Sequence, residues 1–106
     1  MTRLAFAALA ATTAHAEGDQ FLHVTYHCPS GAVLEAVFIN TTAGDSHAVV
    51  TRGEGLMPMS QAISGSGARY TSVEGEPPFT FWTKGDQASL YEGPDETPLL
   101  TDCIAR

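Results

Sequence analysis

Positive charge is scarce in this chain: five lysines and arginines stand against twelve aspartates and glutamates, for a formal net charge of -7. A polyanion partner is thereby excluded, because nucleic acids and anionic membranes are held by clustered Lys and Arg that release counterions. Long apolar runs are missing as well. The stretch Leu4 to Ala11 is far shorter than the roughly 20 residues needed to span a bilayer as a helix. Cysteine occurs twice, at Cys28 and Cys103, a spacing that fits no C-x-x-C metal or redox motif. No window of adequate length shows helical periodicity, and internal repeats, linkers and low-complexity tracts are absent. What remains is 106 residues, 43% hydrophobic and 16% charged, which suffices for one small globular domain and not for two.

The front of the chain reads as a secretory signal covering residues 1–16. Arg3 precedes the apolar run, and Ala14-His15-Ala16 forms a small-x-small cleavage site, leaving residues 17–106 as the mature domain. No cysteine follows the run, so the expected location is the periplasm in soluble form, with no lipid anchor. Losing Arg3 takes the formal charge from -7 to -8 and leaves Arg52, Arg69, Lys84 and Arg106 as the strong bases. Such an acidic body favours a basic partner and speeds encounter with one in a salt-dependent way. Solubility alone is the blander explanation of the same charge. Export also makes Cys28 and Cys103 disulfide partners in an oxidising compartment. Closing a loop of about 75 residues contributes on the order of 4 kcal/mol, a large share for so small a domain. Two isolated thiols are the alternative, if geometry kept them apart.

Beyond the signal, apolar and polar residues alternate with period two and turn residues recur about every ten positions, the pattern of an all-β domain. Leu22, Val24, Tyr26 and Cys28 form the inner face of a first strand. Further strands are expected over 32–40, 46–52, 56–61, 68–73, 79–84, 87–92 and 98–104. Pro58 cannot donate to a ladder, which places it at an edge or bulge. About eight short strands leave a sandwich or a closed antiparallel barrel. The barrel is favoured, because an end-to-end disulfide suits first and last strands that meet and so removes the sheet edges. Large inner-face residues such as Leu22, Tyr26, Leu34 and Phe38 would fill it.

Several chemistries fail on spacing. His23 and His27 sit four residues apart on a strand, roughly 13 Å, too far for both rings to reach one ion, so no metal site is read. A nucleophile elbow needs glycine two before and two after its serine, whereas Ala62 precedes Ser64 by two and Ser64 precedes Ser66 by two. Phosphate cradling by 64–67 lacks a following helix N-terminus. A Ser66–Lys84 dyad would need a desolvated lysine, yet Lys84 stands at a turn beside Asp86. Neither catalytic residues nor a cofactor is expected.

The stretch Ser64-Gly65-Ser66-Gly67-Ala68-Arg69-Tyr70, followed by Phe81-Trp82-Thr83-Lys84-Gly85-Asp86, resembles the two signature motifs of the MliC/PliC family, bacterial periplasmic and membrane-bound inhibitors of C-type lysozyme. Tyr26-His27-Cys28 and Cys103 fit the same pattern, so the resemblance spans essentially the whole mature chain. It implies an eight-stranded antiparallel barrel that inserts its motif loops into the lysozyme cleft. It also implies that Ser66, Tyr70 and Lys84 are the functional residues, with Gly65, Gly67 and Arg69 in the same lysozyme-binding stretch. One departure stands out: Ser72 to Pro78 is about four residues longer than the family pattern, which suggests a longer hairpin beside the inhibitory loop. The competing reading is a non-inhibitory periplasmic barrel that binds a small ligand or cell-wall fragment in its mouth.

Overall fold

A computed structural model describes residues 18–106, except for the side chain of Arg52. The expected signal peptide lies outside the described residues. Eight strands follow one another: β1 (Gln20–His27), β2 (Val33–Asn40), β3 (Ser46–Arg52), β4 (Gly55–Ala62), β5 (Ala68–Ser72), β6 (Phe79–Lys84), β7 (Gln87–Glu92) and β8 (Thr97–Ala105). Each pairs antiparallel with the next, and β8 returns to β1, giving the closed barrel that the alternation and the disulfide imply. Cys28 and Cys103 are bonded to each other across 75 positions. The closing seam is short. Its register holds only Tyr26↔Ala105 and His27↔Ile104, extended by a 3.0 Å bond from the Arg106 N–H to the Thr25 carbonyl.

Side chains fill the interior. Phe81, Leu34, Met59, Leu90, Val50 and Cys103 are all under 2% exposed or at that limit, and Tyr26, Phe38 and Tyr70 pack among them. The ring centroids of Phe38 lie 5.6 Å from Tyr70 and 6.2 Å from Phe81, and Tyr26 meets Phe81 edge-on at 5.9 Å. Such offset and edge contacts suit the ring quadrupole. Leu22 corrects the expectation. It keeps its place in the inward alternation but is 59% exposed, because β1 runs past the end of its β8 partner and Leu22 reaches only the open mouth.

Pro58 is corrected too, since a closed barrel leaves it no sheet edge. It sits inside β4 opposite Val49, and its carbonyl accepts the Val73 N–H at 3.1 Å just past the end of β5. N–H and C=O of one strand residue point the same way, so the missing donor faces the place where the β5 ladder has stopped. His23 and His27 are exposed on the outer surface. His23 Nε2 and Thr25 Oγ1 both hydrogen-bond Glu35 Oε1, and these bonds, His23 first, hold the Glu35 carboxyl below its ordinary range.

Burial pushes the phenols of Tyr26 and Tyr70 above the ordinary value of 10.0, and at Tyr26 the neighbouring Tyr70 adds to the shift. The folded chain then keeps these protons to higher pH than the unfolded chain does. Their contribution to stability is intact below about pH 10 and is lost as pH rises through the folded values. Melting temperature should therefore fall steeply above pH 10, and less steeply in Tyr70→Phe. Equal slopes for the two proteins would rule out this tyrosine as a cause.

Candidate functional site

The loop 63–67 joins β4 to β5, and Gly85-Asp86 joins β6 to β7, so both lie at the same rim. Register brings them together: Ala68 pairs with Thr83 and Arg69 with Trp82. Gly67 makes the closest approach. Its φ is +65°, and a Cβ placed on it would meet the Thr83 carbonyl oxygen at 2.3 Å, the Trp82 Nε1 at 3.0 Å and Lys84 Cβ at 3.2 Å. Only glycine fits there, both for its left-handed backbone and for the space it leaves. Gly85, at φ +60°, takes the first position of a two-residue hairpin turn, which is the other glycine the tip needs.

Two donors converge on the Ser66 carbonyl: the Ser64 hydroxyl and, at 2.9 Å, the Trp82 indole N–H. The loop is braced against β6 and Ser66 is carried at its exposed crest, with exposed Lys84 beside it at the strand end. Among the described residues, no carboxylate lies within ion-pair distance of the Lys84 ammonium. An exposed lysine is not the desolvated base that a Ser66–Lys84 dyad would need. A hydroxyl and a cation are thus carried, both exposed, on two adjoining turns of one rim.

The remaining residues of the motif are distributed differently. Tyr70 is 5% exposed and points inward, against Phe38. Arg69, on the outer face, pairs through Nη2 with Glu96 in the β7–β8 turn. Gly65 has open space around it. The long 73–78 segment is corrected in position. It joins Ser72 to Phe79, at the far ends of β5 and β6, so a five-residue strand of roughly 16 Å separates it from the Ser66 tip. The Ser72 hydroxyl closes that turn by accepting the Phe79 N–H at 2.9 Å. The 73–78 segment is therefore not beside the 63–67 loop.

Trp82 belongs to the second motif, but its hydrogen bond to the Ser66 carbonyl is not read from the sequence. The signal was available in the hairpin: pairing Ser72 near Phe79 sets the register that places Trp82 opposite Arg69, next to the loop. Gly67→Ala should lower the melting temperature by an amount equivalent to about 1–2 kcal/mol from the left-handed backbone alone, and should displace Ser66 from Lys84. Calorimetry and indole N–H chemical shift check this; an unchanged Trp82 signal would show that the loop does not depend on the close approach.

The described residues thus form a small filled barrel that presents a braced polar loop at one rim. The family model of the membrane-bound lysozyme inhibitor of C-type lysozyme, MliC, matches residues 26–98, and the chain belongs to this family. The membrane-bound lysozyme inhibitor of C-type lysozyme from Pseudomonas aeruginosa is 29% identical over 68 residues, 64% of this chain and 50% of that protein, so the chain spans half the length of that relative. The crystal structure of PliC-St, the periplasmic lysozyme inhibitor of C-type lysozyme from Salmonella typhimurium, superposes with a TM-score of 0.74 at 30% identity, covering 82% of this chain and 99% of that one. Pseudomonas aeruginosa MliC in complex with hen egg white lysozyme gives a TM-score of 0.65 at 27% identity, with 100% and 99% covered.

Proposed function

We propose that this protein is an exported, periplasmic inhibitor of C-type lysozyme, which enters the enzyme's cleft with the Ser66 loop and the Lys84 turn. The observation that carries the reading is the close approach at Gly67, where a Cβ would collide with the Thr83 carbonyl and crowd Lys84 Cβ, which brings the two motifs to one tip. A C-type lysozyme works with a carboxylic acid and a carboxylate facing each other across its cleft. The Lys84 ammonium pairs with the ionised group, and the Ser66 hydroxyl, donor and acceptor at once, serves either protonation state. Sugar binding and proton transfer are blocked together.

Tyr70 supports the tip from within, through Phe38, and Gly65 and Gly67 shape the backbone around Ser66. Arg69, tied to Glu96, holds the outer face next to Trp82. The acidic body, at -8 once residues 1–16 are removed, draws a basic enzyme in, while the cation at the tip sets local register. The test is clearance of a bacterial cell suspension by hen egg white lysozyme, with the protein added at rising ratios and at two salt concentrations. Lysis should stop at near-stoichiometric protein, with faster onset at low salt. Absence of protection at every ratio would defeat the proposal and leave the ligand-binding barrel as the better reading.

A further inference from the structure

Outside the tip, the surface of β6, β7 and β8 carries a groove of about 280 Å³ that starts at Lys84. Trp82, Ser89 and Tyr91 form its wall, and Asp102 stands on the β8 side. The local backbone is irregular there. Between the pairs Ala88↔Cys103 and Leu90↔Leu100, β8 holds one residue more than β7, and Asp102 takes a left-handed φ of 58°. A bulge of this kind bends the strand and re-aims a side chain. A non-glycine residue held in this region marks a place where the surroundings impose the conformation.

We propose that this groove receives a cationic side chain, an arginine, from the basic partner. A planar guanidinium stacks on the Trp82 and Tyr91 rings and pairs through two N–H bonds with the Asp102 carboxylate, a combination that a compact ammonium does not match. The groove is continuous with the tip through Lys84 and Trp82, so the partner is gripped at two points of opposite sign. Its carboxylate meets Lys84, and its arginine meets Asp102. One point alone would leave the tip free to rotate in the cleft; the pair sets its orientation. The identity of the partner as a C-type lysozyme rests on the inhibitor reading, whereas the groove's chemistry does not.

Asp102→Asn removes the charge and keeps a residue that tolerates the left-handed backbone. Its dissociation from hen egg white lysozyme, followed by surface plasmon resonance, should be about tenfold faster than the parent's, since the pair is enclosed when the interface forms. Asp95→Asn, an exposed turn residue that does not line the groove, makes the same change in net charge and should slow association only slightly. Equal behaviour of the two variants, with the parent binding normally, overturns the groove. A second arm needs no lysozyme. Trp82 is the chain's single tryptophan, so its emission reports the groove directly. Titration with L-argininamide should give a saturable change in the parent that sodium chloride of equal ionic strength does not reproduce and that Asp102→Asn loses. If the parent fails to bind lysozyme but shows this change, the inhibitor reading falls and the groove stands; no change in the parent sinks the groove by itself.

Discussion

Lys84→Ala is expected to weaken binding to hen egg white lysozyme by about 30-fold to several thousand-fold, the equivalent of roughly 2 to 5 kcal/mol. Most of that loss would come from the enzyme's side. With the ammonium gone, a carboxylate stays enclosed by the barrel tip without its countercharge, and an unpaired buried charge costs more than the pair itself contributes. The effect should appear in the dissociation rate, since one rim charge among a strongly acidic surface changes steering only slightly. Ser66→Ala should cost less, about 1 to 3 kcal/mol, as the loss of a hydroxyl partner to a charged group. Both variants should fold like the parent: Lys84 and Ser66 are exposed, and the loop is braced through the Ser66 carbonyl, which the substitution keeps. Melting temperature and inhibition constant measured on the same samples separate the two effects. Parent-like inhibition by both variants would mean that the tip described here is not what enters the cleft.

Replacing both Cys28 and Cys103 by serine should remove on the order of 4 kcal/mol of stability, from the 75-residue separation that the bond closes. For a domain of this size that corresponds to a fall in melting temperature of about 15 to 30 °C. The position of the bond explains why the barrel depends on it. The β1–β8 seam has two register pairs, against eight between β1 and β2, so closure is held by little backbone pairing. Cys103 is fully buried and Cys28 is 8% exposed, which puts the bridge inside the core at the end of that seam. Thermal unfolding of the double variant beside the disulfide-bonded parent gives the measurement. A shift of only a few degrees would show that the unfolded chain is already compact enough to make the loop constraint idle. At temperatures where the variant remains folded, its affinity for lysozyme should change far less than that of Lys84→Ala, because the Gly67, Trp82 and Lys84 contacts lie within the β4–β6 stretch.

Much of the barrel is legible in one dimension. Period-two alternation over Leu34, Ala36 and Phe38, or over Ala88 and Leu90, names the buried face directly, and these residues are all in the core. Turn stretches such as Pro29-Ser30-Gly31, Gly53-Glu54 and Gly85-Asp86 mark the strand ends within about a residue or two of where they stop. Leu22 escaped the rule because alternation assigns a direction and not a depth: the residue points inward at a level where β8 has already ended. Pro58 escaped it because a strand can lose one neighbour locally while the sheet as a whole stays closed. The 73–78 segment lies away from the loop it was expected to flank for a similar reason. It is adjacent to the tip in sequence, but antiparallel strands send successive turns to opposite rims.

By itself, then, the sequence determined the all-β class, the strand count, the acidic charge and the two motifs, since each depends on composition or on neighbours a few positions apart. Only the tertiary structure decided that Ser66 and Lys84 share one crest, that Trp82 braces it and that Tyr70 lies beneath it, out of solvent. It alone decided that Asp102 opens onto a groove beginning at Lys84. These are relations across strands, set by register, by the bulge in β8 and by the space that Gly67 leaves for the Thr83 carbonyl, and no local pattern along the chain carries them.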